Sequence, residues 1–491
     1  MLGFACIFSL MACDEQNKEE NSNTTPTDVD PNNPGGNPSV EEKEFVTPEI
    51  IGEMDPSTVT AEKIHFNDSM KENGPFSLDA FPALGTPKML VIPVNFEEAN
   101  KTNDNLNNIK IAFEGTEEQT GWESVKTYYK KSSYNKLNIE FVYTDWFTPS
   151  LSASYYETYE DEQGGAAALV AKEALDYFDK DYDFSSFDYD EDGYIDNIWM
   201  VYNSPVNYKD DDTLWWAFQD KTLLDDTWDN VKSSRFGWAG IDFMDKTKEE
   251  HDYDTTNIII DAHTFIHETG HIMGLEDYYD YDESIGPKNR GLFGADMMDW
   301  NIGDHSSFNK MSLGWIDPTV VEGNGKIELT LNPFTTSGEF LLLANHKITS
   351  IWDEYFLIEF YTNDGLNSND EPIMSDEGVK AIGIRIIHVD AHICLDKDGN
   401  VIENGDEAYA ACGFKYDNTG TTYPMIEMLR ADYGSNMEEY LYPESLYTED
   451  SNIFGNDVWS SFKLNDGSSL FFTLSVKKIE NNKCTIELNI K

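Results

Sequence analysis

The segment His267-Glu268-Thr269-Gly270-His271 constrains the fold of this chain more than any other feature. Residues four apart lie on the same face of an α-helix, so a helix here presents both imidazoles to one metal ion at about 2.0–2.1 Å. Glu268 is then the general base, because it can reach a water that the metal activates without being a ligand itself. The segment therefore predicts a zinc-binding helix, within a helical run over Ile258–Met273.

The residues after this segment predict how a third ligand is supplied. Glycine commonly ends a helix with a left-handed turn, so Gly274 can turn the chain and bring Asp277 back towards the two histidines. Glu276 and Asp280 are alternative third ligands. Three protein ligands leave the fourth position of a tetrahedral zinc site open, as catalytic zinc sites require.

The pattern from His267 to Asp277 resembles the extended zinc-binding motif of the metzincin peptidases, with Asp where many of them have His. Residues 294–299 (GADMMD) resemble the Met-turn that lies beneath the metal in that clan, with Met298 as its methionine. Tyr278 or Tyr279 is a candidate hydrogen-bond donor to the developing oxyanion.

More of the chain resembles one metzincin family, the immune inhibitor A-like zinc metallopeptidases, which are secreted bacterial proteases. The likeness covers about residues 86–320, and four further segments carry it: Val91–Phe96, Ser124–Phe141, Asp188–Asp196 and Phe308–Trp315. The resemblance implies a zinc endopeptidase that acts on proteins or peptides, with His267, His271 and Asp277 as ligands. The family usually has Pro before that Asp, where this chain has Glu276.

A second candidate metal site is the acidic stretch from residue 188 to residue 196 (DYDEDGYID). Its spacing matches the calcium loop of an EF-hand, with Gly193 at the sharp turn. The expected Ca²⁺ ligands are four carboxylates and one backbone carbonyl: Asp188, Asp190, Asp192, Asp196 and Tyr194. Trp199 stands where an EF-hand has its bidentate Glu, so we expect a structural calcium loop beside a strand. The alternative is a surface turn without an ion.

Periodicity predicts alternating helices and strands in the middle of the chain. The predicted strands are Lys88–Phe96, Lys136–Tyr143 and Ile195–Tyr202, and the predicted helices, besides Ile258–Met273, are 122–131 and Ala166–Phe178. After about residue 320, short alternating β-rich runs dominate. The expected fold class is α/β (α+β): a metzincin-like catalytic domain over 86–320 and a mostly β C-terminal domain over 321–491.

The N-terminal residues predict export and anchoring. The short apolar run that ends in Leu10-Met11-Ala12-Cys13 resembles a lipoprotein signal, in which Cys13 is cleaved and lipidated. Residues 14–45 are almost free of apolar side chains and predict a disordered tether. Residues 46–85 are a candidate short pro-segment or a structural part. The expected location is the outer surface of a bacterial cell, with the lipid anchor in the membrane.

Charge and cysteine content limit the other possibilities. With 34 basic and 92 acidic residues the net charge is -58, which argues against nucleic acid as a partner. We expect a monomer, with one possible disulfide between Cys394 and Cys412. The alternative function is a surface lipoprotein with a non-catalytic zinc site, which binds glycan or host protein through its β-rich C-terminal region.

Overall fold

The computed structural model describes residues 44–45, 59–66, 80–158, 165–204, 214–220, 224–233, 235–247, 255–279, 291–369, 381–391, 394–395, 418, 424–433, 443–465 and 467–491. Cys13, Asp280, Cys412 and nearly all of the predicted tether lie outside these residues. The lipid anchor, the tether and the disulfide therefore stay predictions. Within the described ranges, no helix combines the length and apolar character that crossing a membrane requires.

The α-helices of the described ranges are α1 (Asn103–Glu114), α2 (Glu117–Thr120), α3 (Val125–Ser132), α4 (Ala153–Glu157), α5 (Gly165–Phe178), α6 (His263–Ile272), α7 (Met297–Trp300), α8 (Ser307–Ser312) and α9 (Phe334–Ser337). The strands are β1 (Glu44–Phe45), β2 (Thr60–Lys63), β3 (Lys88–Asn95), β4 (Glu140–Tyr143), β5 (Ile198–Asn203), β6 (Phe218–Asp220), β7 (Leu224–Trp228), β8 (Val231–Ser233), β9 (Phe236–Gly240), β10 (Thr319–Glu322), β11 (Gly325–Leu331), β12 (Phe340–Leu343), β13 (Glu354–Tyr361), β14 (Gly383–Asp390), β15 (Cys394–Leu395), β16 (Ile426–Met428), β17 (Phe472–Glu480) and β18 (Lys483–Ile490).

The first sheet has the strand order β4-β3-β5-β9-β6, with β6 antiparallel to β9 and the other neighbours parallel. Strands β3 and β5 are almost entirely buried, as expected for parallel strands that are covered on both faces. Helix α6 packs against β9 and β6, and also contacts α3 and α7. The HETGH segment therefore lies along the β6 side of this sheet.

The second sheet has the strand order β16-β14-β13-β12-β10-β2, and its two faces belong to different cores. Along β13, Tyr355 and Leu357 join the core of the first sheet and its helices. Their neighbours Phe356 and Ile358 face a second core, which the third sheet (order β11-β18-β17) completes. Successive side chains of a strand point to opposite faces, so one strand serves both cores. The first core therefore continues past residue 320.

The protein is thus mixed α/β with a mostly β C-terminal region. Strand Lys88–Phe96 and helix Ala166–Phe178 are confirmed to within one residue at each end. The predicted helix over Ile258–Met273 is too long, since α6 begins at His263. The amides of Ile259 and Ile260 instead donate to the carbonyl oxygen of Thr120, so these residues leave the helical path.

Part of the 46–85 segment is paired with the rest of the chain. Strand β2 forms an antiparallel edge on β10 of the second sheet. Further along, the backbone N–H of Phe81 donates to the carbonyl of Ile272 at the end of α6, at 3.0 Å. Gly85 pairs with Leu137 in a parallel bridge. Residues 80–85 therefore pair with the unit that carries α6, and a pro-segment over 46–85 stays a prediction.

Candidate metal centre

Helix α6 carries three side chains of the predicted centre, His267, Glu268 and His271. His267 and Glu268 are buried, and His271 is about four-fifths buried. The helix starts without a side-chain cap on Ala262, but the carboxylate of Asp261 accepts the backbone N–H of His263 at 3.0 Å. Because α6 packs against sheet and helices on several sides, its polar side chains face into the protein.

The turn after α6 brings Asp277 back to the helix. Gly274 has a φ of +94°, the left-handed conformation that its position predicted. Asp277 Oδ1 lies 3.0 Å from His267 Nε2, and its Oδ2 lies 3.3 Å from His271 Nε2. The two Nε2 atoms are 3.0 Å apart. The structure therefore brings together the predicted triad, as a compact group of three possible metal ligands.

Backbone carbonyls fix the orientation of both imidazoles. His267 Nδ1 lies 2.7 Å from the carbonyl oxygen of Met297, and His271 Nδ1 lies 2.8 Å from that of Leu275. A carbonyl oxygen only accepts, so Nδ1 carries the proton in each ring. When a metal ion replaces the Nε2 protons, each Nε2 therefore presents a lone pair to the centre of the triad. This outer support is the usual arrangement around histidines that bind a metal.

The donor set fits a zinc-sized cation. Two ligand atoms at 2.0–2.1 Å from a tetrahedral ion are about 3.3–3.4 Å apart. The separations of 3.0, 3.0 and 3.3 Å among His267, His271 and Asp277 are close to that value. Two imidazoles with one carboxylate suit zinc and its transition-metal neighbours better than Ca²⁺ or Mg²⁺, which prefer oxygen ligands only.

Neighbouring charges shift the pKa values of Glu268, His271 and Asp277. Burial raises the pKa of Glu268, and the charges of His271 and His267 offset part of that effect. Burial lowers the pKa of His271, but the nearby carboxylates, Asp277 first, raise it to about 10. At Asp277 the pKa stays well below its usual range, because the histidines outweigh the effect of burial. An ionised carboxylate beside positive charge is an arrangement that a bound cation also stabilises.

The short helix α7 lies directly beneath α6. Met298 is fully buried, and a Cβ added to Gly270 would come within 2.4 Å of its sulfur, so the methionine packs where α6 has no side chain. The carbonyl of Met298 accepts the backbone N–H of Tyr278 at 3.0 Å, while that of Met297 holds His267. The predicted Met-turn therefore contacts both the helix and the segment that carries Asp277.

The two candidate oxyanion donors, Tyr278 and Tyr279, have different surroundings. The hydroxyl of Tyr278 donates to Asn309, which in turn donates to Asp296, so Tyr278 belongs to a buried network and is not an available oxyanion donor. Tyr279 packs near Trp300 with ring centroids 6.3 Å apart.

Two other residues near the triad, Glu276 and His263, are not part of it. Glu276 is half-buried and is not part of the ligand group, and Asp280 lies outside the described residues. His263 stacks on Trp122, with ring centroids 4.1 Å apart, and its Nδ1 lies 2.8 Å from the carboxylate of Asp261.

Several residues that support the centre were missed by the sequence analysis. Arg235 Nη1 donates to the carbonyl of His271 at 3.2 Å. The Asp296 carboxylate caps α7 through the N–H of Met298, at 2.7 Å. Asp299 accepts the backbone N–H of Gly294, and burial raises the pKa of Asp299 to about 8. The available signals were an arginine directly before the run FGWAG and aspartates that flank the Met-Met pair.

The acidic loop forms in part as predicted. Gly193 has a φ of +92°, and the carboxylates of Asp188, Asp190 and Asp196 lie within 4.8 Å of one another. Asp192 is not in this group, and its Oδ1 accepts the backbone N–H of Tyr194 at 2.9 Å. Three of the four predicted carboxylates are therefore grouped, and a ligand role for Asp192 stays a prediction. A role for the Tyr194 carbonyl stays a prediction.

The comparisons with known proteins add no family. No protein-family model matches the chain, and no curated protein matches it. The resemblance to the immune inhibitor A-like peptidases therefore rests on the sequence motifs.

Proposed function

We propose that this protein is a zinc-dependent endopeptidase with a metzincin-like fold over residues 86–320. The observation that carries the proposal is the triad of His267, His271 and Asp277, with Nε2 and carboxylate atoms 3.0–3.3 Å apart and Glu268 on the same helix. The left-handed turn at Gly274 and the methionine beneath the helix support the same assignment.

The chemistry follows from the residues around the triad. Zinc, when bound, supplies a Lewis acid that polarises the scissile carbonyl and lowers the pKa of water to about 7. Glu268 accepts the proton that the attacking water loses and delivers it to the leaving amine, so its carboxylate is regenerated. Glu268 is near enough to His267, His271 and Asp277 for their charges to act on its pKa. Its burial keeps bulk water from competing for that proton.

The direct test is cleavage of an unstructured protein such as casein by the purified full chain, supplied with zinc and calcium. We expect cleavage that a zinc chelator abolishes and added zinc restores. Bound zinc without cleavage of casein or of a peptide library would favour the alternative, a surface protein with a non-catalytic zinc site. If the purified chain neither binds zinc nor cleaves any substrate, the metallopeptidase proposal is overturned.

We also propose that the acidic loop binds a structural Ca²⁺ through Asp188, Asp190 and Asp196. Saturating calcium should raise the temperature of unfolding, since a ligand at 100 times its Kd contributes about 2.7 kcal/mol. Asp190→Asn should remove that rise, whereas the nearby exposed Asp181→Asn should keep it. The measurement is thermal unfolding with and without calcium, at a fixed zinc concentration. A wild-type protein whose unfolding ignores calcium would exclude a structural calcium at this loop.

The proposed setting is the outside of a bacterial cell. Cys13 would carry the lipid, with protein or peptide substrates as partners and the chain acting as a monomer. A net charge of -58 disfavours nucleic acid as a partner. Mass spectrometry of the mature N-terminus would test the lipidation, which predicts that residues 1–12 are absent.

A further inference from the structure

One charged pair of the second sheet lies on the face that packs against the core of the first sheet. Glu359 on β13 and Arg385 on β14 lie directly opposite each other in the antiparallel register. Both follow the alternation of Tyr355, Leu357 and Ile387, whose side chains belong to the core of the first sheet. Both are almost completely buried. A charged pair in an otherwise apolar sheet face requires a reason, because burying it costs desolvation that apolar residues avoid.

The contacts of this pair reach the backbone beneath the triad. Arg385 Nε donates to Glu359 Oε2 at 3.0 Å, and its Nη1 donates to the carbonyl of Ala295. The other oxygen of Glu359 accepts the backbone N–H of Ser307, at 2.7 Å. Ala295 and Ser307 lie on either side of α7, which carries Met297 and Met298. The pair therefore binds the Met-turn segment at Ala295 and the start of α8 at Ser307.

Asn418 makes a second contact of the same kind. It is fully buried, and its Nδ2 donates to the carbonyls of Tyr278 and Ile426, each at 2.7 Å. Its Oδ1 accepts the N–H of Ile426 at 3.2 Å. Tyr278 follows Asp277 directly, so this amide ties the segment of the third ligand to β16 of the second sheet.

Residues of the same region also contact the segment that leads into α7. The N–H of Met428 donates to the carbonyl of Gly291 at 3.0 Å, and the Arg430 guanidinium lies 4.5 Å from the Phe293 ring centre. Phe293 has a φ of +56°, a conformation that bulky residues rarely adopt. Such a backbone persists only where its surroundings determine it.

We propose that Arg385 and Asn418 are positioning residues of the metal centre, and that the C-terminal sheet is part of that centre. Arg385 fixes the segment whose Met297 carbonyl orients His267, and Asn418 fixes the segment whose Asp277 completes the triad. This inference rests on the metal binding in the proposed function but not on peptidase activity. It also makes the C-terminal region integral to the centre, in addition to any binding role that it has.

The test is the zinc affinity of the full chain, measured by competition with a chromogenic chelator. Asn418→Ala removes the bond to Tyr278, and Arg385→Lys keeps the charge beside Glu359 but lacks the fork that also reaches Ala295. Each should weaken zinc binding by about 10–100-fold, as loss of an outer contact of a metal ligand does. The visible spectrum of the cobalt-substituted protein should also change, which a purely structural role would not cause.

Asn367→Ala is the matched control. Asn367 is also buried and makes three amide hydrogen bonds, but they go to Asp304, Thr335 and Thr362 and not to the segments that hold the triad. It should lose comparable stability and keep the wild-type zinc affinity. If Arg385→Lys does not fold, Asn418→Ala decides the matter alone.

The outcomes separate this proposal from the proposed function. Wild-type zinc affinity in Asn418→Ala and in folded Arg385→Lys overturns the positioning role and leaves the peptidase proposal intact. Equal losses in Asn367→Ala overturn it as well, since the effect is then general. Weakened binding in the two variants alone supports it, even if the wild type cleaves nothing. A wild type that binds no zinc overturns both proposals.

Discussion

Glu268→Gln is expected to lower kcat for peptide hydrolysis by at least about 10²–10⁴-fold, the range that general acid–base catalysis contributes. Gln is nearly the same size as Glu but cannot accept the proton of the attacking water or return it to the leaving amine. Glu268 is buried, with 8% of its surface exposed, so solvent cannot easily replace it as the base. Because it is not a ligand in the proposed site, zinc content should remain at the wild-type level. The measurement is kcat and KM on a fluorogenic peptide, with metal analysis of the same sample.

Glu123→Gln is the matched control for this prediction. Glu123 is also a buried glutamate whose pKa burial raises, but its hydrogen-bond partner is Lys131, which is not a residue of the triad. The same change of charge there should leave kcat near the wild-type value. Full activity of Glu268→Gln with zinc bound would exclude Glu268 as the base. A large loss in Glu123→Gln would mean that the assay reports general damage to the fold.

The sequence could predict those parts of the site that are local in the chain. The helix follows from HETGH, and the left-handed turn at Gly274 follows from the conformational freedom of glycine. The return of Asp277 then requires only a few residues. The structure brings Asp277 to the two histidines as this reasoning predicted, while the identity of the metal stays a proposal.

Other parts could not be predicted because they depend on partners distant in the chain. The start of α6 shifts to His263, since the amides of Ile259 and Ile260 find the carbonyl of Thr120 about 140 residues away. The contact of Asn418 with Tyr278 likewise spans 140 residues. No local pattern encodes such pairings, and a single sequence contains no covariation that would reveal them.

The acidic loop shows what the spacing of carboxylates leaves open about their roles. An EF-hand spacing treats every alternate carboxylate as a ligand. In the structure, Asp192 accepts the N–H of Tyr194 in an Asx-type turn, and Asp188 likewise accepts the N–H groups of Asp192 and Gly193. Short aspartate side chains compete for nearby backbone donors, so spacing alone cannot separate the ligands from the turn residues.

Asp277→Asn is expected to weaken zinc binding by more than the roughly 10–100-fold that loss of an outer contact costs. Asp277 is the anionic member of the triad, and both of its oxygens face histidine Nε2 atoms, at 3.0 and 3.3 Å. Asn has the same shape but no charge, and one of its terminal atoms is a hydrogen-bond donor that cannot bind a cation. Peptidase activity should fall with zinc content.

Glu276→Gln makes the same change of charge one residue earlier and separates ligand loss from a general electrostatic effect. Glu276 is half-buried and is not part of the triad, so its zinc affinity should match the wild type. The measurement is the zinc dissociation constant of both variants by chelator competition at constant ionic strength. Loss of affinity in Glu276→Gln alone would assign the third ligand to Glu276. Unchanged affinity in both variants would remove Asp277 and Glu276 together and leave Asp280 as the carboxylate to test.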